Sequence, residues 1–571
     1  MNNHTSKHEA KTIRVIDGSE VKLFFQDGLD KDIDLYDLVD QLDVANKNAK
    51  DIIDIIKTLS GQFSFVVFYI SSEVCYLVTD PIGAEPIYYL ANGLQQNWGF
   101  RVKDLNQYLD VKKLDFSALD ESMLYRWLNE ENTMLAGIKR VNPGQMVEIS
   151  KNGSIRILNY SIPRYQATNL YFGMTENDVI EQTNKALESY FLRLRRNAPR
   201  IAVLLSGGVD SSLLLAKARE FDFEKLIAIT CEFKGAENPE LKRAKSVSRQ
   251  LGVELEVVTI DDGYILSSIP KIVYLLESPN AYFNCIARLK MMESLQGRVD
   301  AVVIGEGADG MFSMEVGGGS RALKFERKRK VVKIIPEIFR SNFAKISEKT
   351  SHPRVARLHK LLTTDSITYL RTQGEAFPDC APAINSDCIC ITDLMPVLKK
   401  IRSNRKSYPY SQFEPEASTK ISENFVIDFC QNRGLYTQNR HQYLCYLVIC
   451  HEFGLNLAAP FLSKEIMDIG LNLPLWLRSD SRGTKPVLKK LACRYISEDI
   501  IYAPKLGFET PLSDWLIRCK SDWIKWLKSD LAKNRGIIDF NIVDKLNPER
   551  DSLVILSALM LEFFCQQFID T

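Results

Sequence analysis

Residues 206–212 read Ser-Gly-Gly-Val-Asp-Ser-Ser, a set of hydroxyls, glycines and one carboxylate suited to holding a polyphosphate. Glycine lets the backbone approach phosphate closely, and a helix N-terminus presents N–H groups to anions. The carboxylate would repel phosphate unless a divalent cation lay between them, so the turn predicts binding of ATP with Mg2+. The candidate phosphate-binding residues are Ser206, Gly207, Gly208, Ser211 and Ser212, and the candidate magnesium ligand is Asp210.

The elements beside this turn are predicted from the apolar run 201–205, which ends at Leu205. Such a run indicates a buried strand that delivers the turn to the start of a helix. Ligands bind at the carboxyl ends of strands in parallel sheets, which is where this turn would lie. No Gly-Lys-Ser/Thr ends the turn, so it is not a Walker P-loop. The alternative is an ordinary strand–turn–helix junction rich in small residues.

The second part of the chain, from about residue 175, alternates helical stretches with short apolar strands. This alternation predicts a parallel, helix-flanked sheet. The predicted strands are Ile201–Leu205, Leu226–Thr230, Leu255–Ile260 and Ala301–Ile304. Beyond about residue 360 the pattern is mainly helical.

The first part, to about residue 165, is β-rich. Residues 62–70 and 74–78 are apolar, aromatic and β-branched, and Ser-Ser-Glu between them predicts a hairpin turn. Further turn signals follow, so we expect stacked antiparallel sheets. The segment 163–171 is the predicted domain boundary.

The composition is that of a soluble globular protein, with 571 residues, 45% hydrophobic residues and a net charge of +1. The length indicates two or three domains. The balanced charge gives no sign of a nucleic acid or membrane partner, and no apolar run approaches the roughly 20 residues that span a bilayer. Residues 1–7 contain no secretory hydrophobic stretch, so we expect a cytoplasmic protein.

The twelve cysteines are scattered, and those that cluster do not match a zinc site. Cys380, Cys388 and Cys390 have the spacing C-x7-C-x-C, without a C-x-x-C partner pattern. We interpret the cysteines as free thiols, mostly in the core. The basic stretch 321–360 is expected to be an exposed helix face, with binding of an acidic peptide or of RNA as the alternatives.

The turn S-G-G-x-D-S-S resembles the signature of the ATP pyrophosphatase superfamily, whose members cleave ATP between the α and β phosphates to adenylate an acceptor. Three further stretches, in family order, resemble the asparagine synthetase branch. They are Thr79–Tyr89, similar to R-D-x-x-G-x-K-P-L-Y-Y; Gly305–Gly310, similar to S-G-E-G-x-D-E; and Gly483–Lys485 with Pro504–Pro511, similar to G-x-x-K and K-x-G-F-x-x-P.

The resemblance implies a fold and a set of site residues. The fold would be α/β and α+β: an Ntn-hydrolase-like β-sandwich domain over 1–165, then an ATP pyrophosphatase domain over 175–571 with a parallel sheet and a largely helical C-terminal portion. Asp309 would share Mg2+ with Asp210, Gly305 would line the second phosphate loop, Glu306 would accept a proton from the attacking amine, and Lys505 would contact the α-phosphate. Lys485 is a weaker candidate, and Glu277-Ser278-Pro279 resembles a turn lining the acceptor pocket.

Several departures from the family pattern predict that the glutaminase-like domain is inactive. Met1 is followed by Asn2 and Asn3, where glutamine-dependent relatives expose a cysteine, and the first cysteine is Cys75 in a predicted strand. The family arginine and lysine of the glutaminase stretch are replaced by Thr79 and Glu85.

Relatives that lack the glutaminase cysteine include lasso-peptide cyclases and β-lactam synthetases. Glu306 stands where the latter have tyrosine, which argues against β-lactam closure. Asn456, Ala458 and Ser463 replace charged family residues, so the pocket is expected to accept something other than free aspartate. The leading hypothesis is macrolactam formation in a peptide, which implies a precursor peptide and a protease as partners. The alternatives are amidation of a carboxylate with ammonia and β-lactam-like cyclisation of a small molecule.

Overall fold

The computed structural model describes most of the chain between residues 13 and 571. Lys505, residues 1–7, the three clustered cysteines and most of the basic stretch after residue 332 lie outside the described residues. The described stretches are 13–26, 34–44, 48–59, 61–91, 97–125, 131–161, 173–236, 238–279, 282–314, 319–332, 422–433, 439–504, 510–538 and 543–571, with isolated positions between them.

Antiparallel sheets form the N-terminal part, as the sequence predicts. A six-stranded sheet has the order β1-β2-β3-β4-β8-β9, and a three-stranded sheet has the order β6-β5-β7. The strands are β1 (Ile13–Asp17), β2 (Val21–Gln26), β3 (Ser64–Tyr69), β4 (Val74–Thr79), β5 (Tyr88–Leu90), β6 (Trp98–Gly99), β7 (Ile138–Arg140), β8 (Gln145–Ile149) and β9 (Ile155–Asn159). The helices are α1 (Leu35–Val44), α2 (Ala49–Ile56), α3 (Val102–Asn106) and α4 (Phe116–Tyr125).

The larger sheet is covered on both faces, which explains why residues 65–69 of β3 are apolar or aromatic rather than alternating with polar residues. Every residue of β3 is buried. Phe65 and Val67 pack with α1 and α2, whereas Val66 and Phe68 pack with residues of the three-stranded sheet. The hairpin between β3 and β4 falls at the predicted Ser-Ser-Glu turn, and Glu73 has a positive φ of 51° there.

A five-stranded parallel sheet with the order β12-β11-β10-β13-β14 forms the centre of the C-terminal part. The strands are β10 (Arg200–Leu204), β11 (Lys225–Phe233), β12 (Leu255–Ile260), β13 (Ala301–Val303) and β14 (Asn456–Ala458), followed by the β15 (Ser479–Asp480) and β16 (Gly483–Thr484) hairpin. The helices up to residue 332 are α5 (Glu176–Asn197), α6 (Val209–Arg219), α7 (Pro239–Leu251), α8 (Asp262–Leu276), α9 (Cys285–Leu295), α10 (Ala308–Phe312) and α11 (Gly319–Val332).

The strand order places a topological switch point between β10 and β13. From β10 the chain builds outward through β11 and β12, and then returns to add β13 and β14 on the other side. The loops after β10 and β13 therefore open a crevice at the carboxyl ends of the strands, where ligands bind in such sheets. Sequence patterns predicted four of these strands but not β14, which lies in the part of the chain where the pattern is mainly helical.

The rest of the described chain is helical, as expected. Its helices are α12 (Glu423–Arg433), α13 (Asn439–Glu452), α14 (Lys464–Gly470), α15 (Leu475–Arg478), α16 (Pro486–Ala492), α17 (Glu498–Ile501), α18 (Leu512–Arg518), α19 (Lys520–Leu527), α20 (Asp530–Arg535) and α21 (Pro548–Phe568), with a 3-10 turn at Pro460–Leu462. In the described part of the chain, α21 is the one helix whose length and composition would suffice to cross a membrane. However, 67% of its most apolar window is buried, as in the core helix of a globular protein.

The N-terminal sheets are joined to the parallel-sheet part through buried polar contacts. Glu277, directly after α8, accepts hydrogen bonds from the backbone N–H groups of Val102 (2.7 Å) and Lys103 (3.2 Å), and pairs with Arg101 Nε at 3.4 Å. A carboxylate on the first N–H groups of a helix is favourable, because those groups have no partner within the helix. Glu277 thus caps α3 from the other part of the molecule.

Candidate active site

The predicted phosphate turn lies at the carboxyl end of β10 and leads into α6, with Gly208 as the N-cap residue. Gly207 has a φ of +77°, and a Cβ there would lie 2.7 Å from the backbone nitrogen of Ala244 on α7. The turn therefore requires glycine twice over, for its backbone angle and for its close approach to α7. Leu205 before the turn is buried, and its N–H donates to Ile229 on β11.

Hydroxyl groups hold the turn in shape. The Gly208 N–H donates to Ser206 Oγ at 3.3 Å, and the Ser206 and Ser211 hydroxyls lie 3.1 Å apart. Ser211 Oγ also donates to the Gly208 carbonyl at 3.2 Å. Ser212 is fully buried in the first turn of α6. Ser206 and Ser211 thus stabilise the turn through their hydroxyls, and Ser211 and Ser212 are both buried.

The second predicted loop, after β13, lies beside the first. A Cβ on Gly305 would be 3.2 Å from Asp210 Cβ, so the two loops are nearly in contact. Gly307 has a φ of +97° and packs so closely against Leu462, which follows β14, that there is no room for a side chain. Asp309 stands in the first turn of α10. Because β10 and β13 are neighbours in the sheet, the two predicted metal-binding carboxylates are brought together.

Lys485 connects these two carboxylates. Its Nζ lies 2.5 Å from Asp210 Oδ2 and 2.7 Å from Asp309 Oδ1, and the residue is only 4% exposed. The β15–β16 hairpin delivers the lysine to the N-terminus of α16, where it adopts left-handed backbone angles of 58° and 47° directly before Pro486. A non-glycine residue in this region is strained, so the surrounding structure must hold Lys485 in this conformation.

The electrostatics favour a charged lysine. Burial lowers the Lys485 pKa, but Asp210 and Asp309 outweigh this effect, and the net result is a pKa well above its usual value. The ammonium thus remains protonated and carries one positive charge between two carboxylates. A cation at this position is compatible with the polyphosphate binding that the sequence predicts.

The charges of Asp210 and Asp309, the two candidate metal ligands, both act on Glu306. Burial raises the pKa of Glu306 from 4.5 to about 7, Arg288 and Lys485 oppose this increase, and Asp309 and Asp210 add to it. A carboxyl group with a pKa near neutrality exchanges its proton readily at physiological pH. This property suits the role of proton acceptor that the sequence predicts.

The donor set fits a magnesium ion that is bound together with nucleotide. Among the residues that the structure describes, no group of three or more His, Cys, Asp and Glu side chains forms a complete metal site. Asp210 and Asp309 supply two carboxylates, and Mg2+ is commonly held by one or two carboxylates with substrate phosphates and waters completing its shell. The two carboxylates already share a cation, the Lys485 ammonium, so the site is built to place positive charge between them.

The structure bears on the roles that the sequence predicts for two lysines. Lys505 lies outside the described residues, so its role stays a prediction. Lys485, rated weaker from its motif alone, is the lysine found between the carboxylates. No spacing in the sequence indicates this role, because Lys485 reaches Asp210 and Asp309 from a distant segment of the chain.

The structure bears on two predictions about the acceptor pocket. Glu277 contacts α3 and Arg101, and together with Ser278 it also lines the small cavity between the two parts of the molecule, so its role in an acceptor pocket stays a prediction. Asn456 stands at the amino end of β14, where its Nδ2 donates to the Asp300 carbonyl at 3.2 Å. It therefore lies at the opposite end of the sheet from the phosphate loops, whereas Ala458 is at the carboxyl end and Ser463 follows it.

Asn2 and Asn3 lie outside the described residues, whereas Thr79, Glu85 and Cys75 have described surroundings. Thr79 Oγ1 donates to the Asn142 carbonyl at 2.6 Å, and Glu85 is buried with its Oε1 3.5 Å from His451 Nε2 on α13. Cys75, the one cysteine in the first 165 residues, is buried on β4, and burial raises its pKa to about 12. A thiol with this pKa is not a nucleophile at neutral pH.

A small cavity of about 30 Å³ lies between the two parts of the molecule. Tyr88 and Arg140 line it from the N-terminal side, and Ser278, His441 and Cys445 line it from the other side. A cavity of this size holds one or two molecules as small as water.

The fold and the site define an α/β protein with a Ser/Gly-rich turn at the switch point of a parallel sheet. The family model for asparagine synthase matches residues 186–562, and the model for a glutamine amidotransferase domain matches residues 48–161. The chain therefore belongs to the asparagine synthase family, a family of ATP-dependent ligases.

Individual relatives are distant. The chain is 24% identical over 472 residues to "Asparagine synthetase [glutamine-hydrolyzing] 1" of Bacillus subtilis, which covers 82% of this chain and 70% of the relative. It is 22% identical over 473 residues to a "Putative asparagine synthetase [glutamine-hydrolyzing]" of Mycobacterium bovis, covering 81% and 69%. "Amidase chyE" of Penicillium rubens is 24% identical over 292 residues, covering 45% and 40%.

Proposed function

We propose that this protein is an AMP-forming carbon–nitrogen ligase that adenylates a substrate carboxylate and then joins it to an amine. The observation that carries the proposal is the Lys485 ammonium, buried between Asp210 and Asp309 where the loops after β10 and β13 meet. Three charges fixed at a switch point are suited to the negative charge that moves when pyrophosphate leaves.

The first step would use the phosphate turn. Ser206, the glycines and the α6 N-terminus would hold the β and γ phosphates, while the substrate carboxylate attacks the α-phosphorus and the bond to the β-phosphate oxygen breaks. Asp210 and Asp309 would hold Mg2+, which supplies positive charge for the departing pyrophosphate. Lys485 would orient these carboxylates, and Lys505 would contact the α-phosphate.

The second step would use Glu306. An amine must lose a proton as its nitrogen bonds to the activated carbonyl carbon, and AMP then leaves. Glu306, with a pKa of about 7, is suited to take that proton.

We propose further that the amine belongs to the substrate rather than coming from glutamine. Support comes from the structural roles of Thr79, Glu85 and Cys75 in the N-terminal part, which leave these positions unavailable for glutamine hydrolysis. The specific version is macrolactam formation in a peptide, in which an α-amine is joined to an Asp or Glu side chain, with a precursor peptide and a protease as partners. The protein would act in the cytoplasm.

The decisive experiment is incubation with Mg-ATP and candidate peptides encoded beside the gene, followed by mass spectrometry and nucleotide analysis. The proposal expects loss of one water from the peptide, with AMP and pyrophosphate in equal amounts. Formation of ADP and phosphate would overturn the adenylation step. Adenylation without cyclisation of any peptide would overturn the macrolactam version alone.

A second candidate is amidation of a carboxylate with ammonia. It is favoured by the names of the relatives and by the small cavity between the two parts, which has room for a molecule as small as ammonia. An assay with ammonium and aspartate separates the two candidates, because only the second expects asparagine.

A further inference from the structure

Arg288 is a buried arginine on α9 that faces the surroundings of Glu306. The residue is only 5% exposed, and its guanidinium carbon lies 3.8 Å from the centre of the Tyr446 ring on α13. Its Nη2 donates to Gln442 Oε1, one helical turn before Tyr446. The guanidinium is therefore fixed in place by α13 before any substrate binds.

One nitrogen of this guanidinium lacks a hydrogen-bond acceptor among the residues that the structure describes. Arg288 Nη1 is buried without a hydrogen-bond acceptor, and so is Asn284 Oδ1 without a donor. Asn284 lies one turn earlier on the same face, since the Arg288 N–H donates to the Asn284 carbonyl at 3.1 Å. A buried charged donor without an acceptor is unfavourable, and such a group usually meets a water molecule, an ion or a ligand.

The charges around Arg288 indicate which ligand would complete it. Glu306 attracts Arg288, yet no ion pair joins the two in the described part of the chain. A planar guanidinium edge matches a carboxylate, to which it donates strong hydrogen bonds. The reaction proposed above requires a carboxylate close to the proton acceptor.

We propose that Arg288 binds a carboxylate of the acceptor substrate through Nη1, and that Asn284 Oδ1 accepts a hydrogen bond from an N–H group of the same substrate. This inference rests on the proposed function and specifies its substrate class: an amino acid or acidic peptide that presents a carboxylate and an N–H group together. Arg288 would also offset the repulsion between that carboxylate and the triphosphate.

Calorimetric titration of the full chain tests the inference. The probes are L-aspartate, L-glutamate and a hexapeptide with one internal glutamate, each with and without Mg2+ and α,β-methylene-ATP. At least one probe is expected to bind the wild type, and to bind Arg288→Met at least tenfold more weakly. The affinity for α,β-methylene-ATP should change less than twofold. Arg298→Met, which removes an arginine paired with Glu256 near the end of α9, is the control and should bind like the wild type.

Arg288→Lys provides a second variant in case Arg288→Met does not fold, because it keeps the charge and loses the planar edge. It should bind the carboxylate at least threefold more weakly than the wild type. Equal binding by the wild type and a folded Arg288 variant, or no binding of any probe by the wild type, would overturn the inference. One outcome separates the two proposals. If the wild type does not bind α,β-methylene-ATP but binds a carboxylate probe that the Arg288 variants bind more weakly, the proposed function fails and the assignment of Arg288 stands.

Discussion

Glu277 and Arg101 form a buried ion pair, with Oε1 3.4 Å from Nε, that links the end of α8 to the start of α3. The Glu277 backbone adopts a positive φ of 52°, and its carboxylate also accepts N–H groups of α3. The pair connects the N-terminal part to the parallel-sheet part. We therefore expect its loss to weaken the contact between the two parts more than it lowers activity.

Substitution Glu277→Ala is expected to lower the free energy of unfolding by about 3 kcal/mol, because Arg101 would be left buried without its partner. Urea unfolding measures this change. Exchange of pyrophosphate into ATP should stay within threefold of the wild type. The control is Glu148→Ala, which breaks an exposed pair with Arg156 and should cost about 0.5 kcal/mol or less. Unchanged stability with weaker acceptor binding would instead place Glu277 in the pocket.

Substitution Lys485→Met should reduce the rate of pyrophosphate release about 100-fold or more, because Asp210 and Asp309 would repel each other and the triphosphate. Stability should fall by about 3 kcal/mol for the same reason. Steady-state kinetics and urea unfolding measure the two effects. Lys489→Met, one turn later on α16 and beside the Tyr502 ring, is the matched control and should keep near-normal activity. Activity retained in Lys485→Met would refute this role.

The rate should depend on Glu306 in a defined pH range. Because the pKa of Glu306 is about 7, the carboxylate form that accepts a proton becomes populated as pH rises through 7. We expect amide formation to increase over this range, and Glu306→Gln to lose both activity and the ascending limb. The check is to measure the rate of peptide product formation as a function of pH. An ascending limb that is unchanged in Glu306→Gln would assign that limb to another group.

The same pKa has a consequence for stability. The folded-state pKa lies above the ordinary 4.5, so the protonated form favours folding. The contribution of Glu306 is fully present below pH 4.5 and is lost as pH rises through about 7. As pH rises from 4.5 to about 7, Glu306→Gln should therefore become progressively more stable relative to the wild type. Thermal unfolding at a series of pH values measures this difference.

Gly207→Ala compared with Gly235→Ala separates backbone strain from close packing. Both glycines have a φ near 80°, but a Cβ at Gly207 meets the α7 backbone at 2.7 Å, whereas one at Gly235 meets nothing within 4 Å. Gly235→Ala should cost about 1 kcal/mol. Gly207→Ala should cost more and weaken ATP binding at least tenfold. Urea unfolding measures the loss of stability, and calorimetric titration with ATP measures the change in affinity. Equal effects of the two substitutions would mean that the turn tolerates a side chain.

The sequence predicted the phosphate turn and its sheet because these depend on local patterns. Four apolar runs alternate with helices, and the glycines at 207 and 208 interrupt the pattern where a strand meets a helix. Asp210 and Asp309 could be paired in advance, since the strands that precede them were both recognised and parallel strands end at one edge.

Contacts between distant segments could not be predicted in the same way. Lys485 reaches the carboxylates from a hairpin far along the chain, and Glu277 finds its partner on a helix of the N-terminal part. Arg288 looks like an ordinary helix residue until α13 is folded against it. These roles depend on tertiary packing, which no spacing of residue types records.

The position of β14 in the chain has a consequence for biosynthesis. This strand supplies one edge of the nucleotide sheet and pairs with β13, although more than 150 residues separate them. While the ribosome is still translating that intervening stretch, β13 presents an unsatisfied backbone edge to the cell. The nascent catalytic centre therefore cannot mature until residue 458 has emerged, and translational arrest before that point would yield a polypeptide prone to self-association.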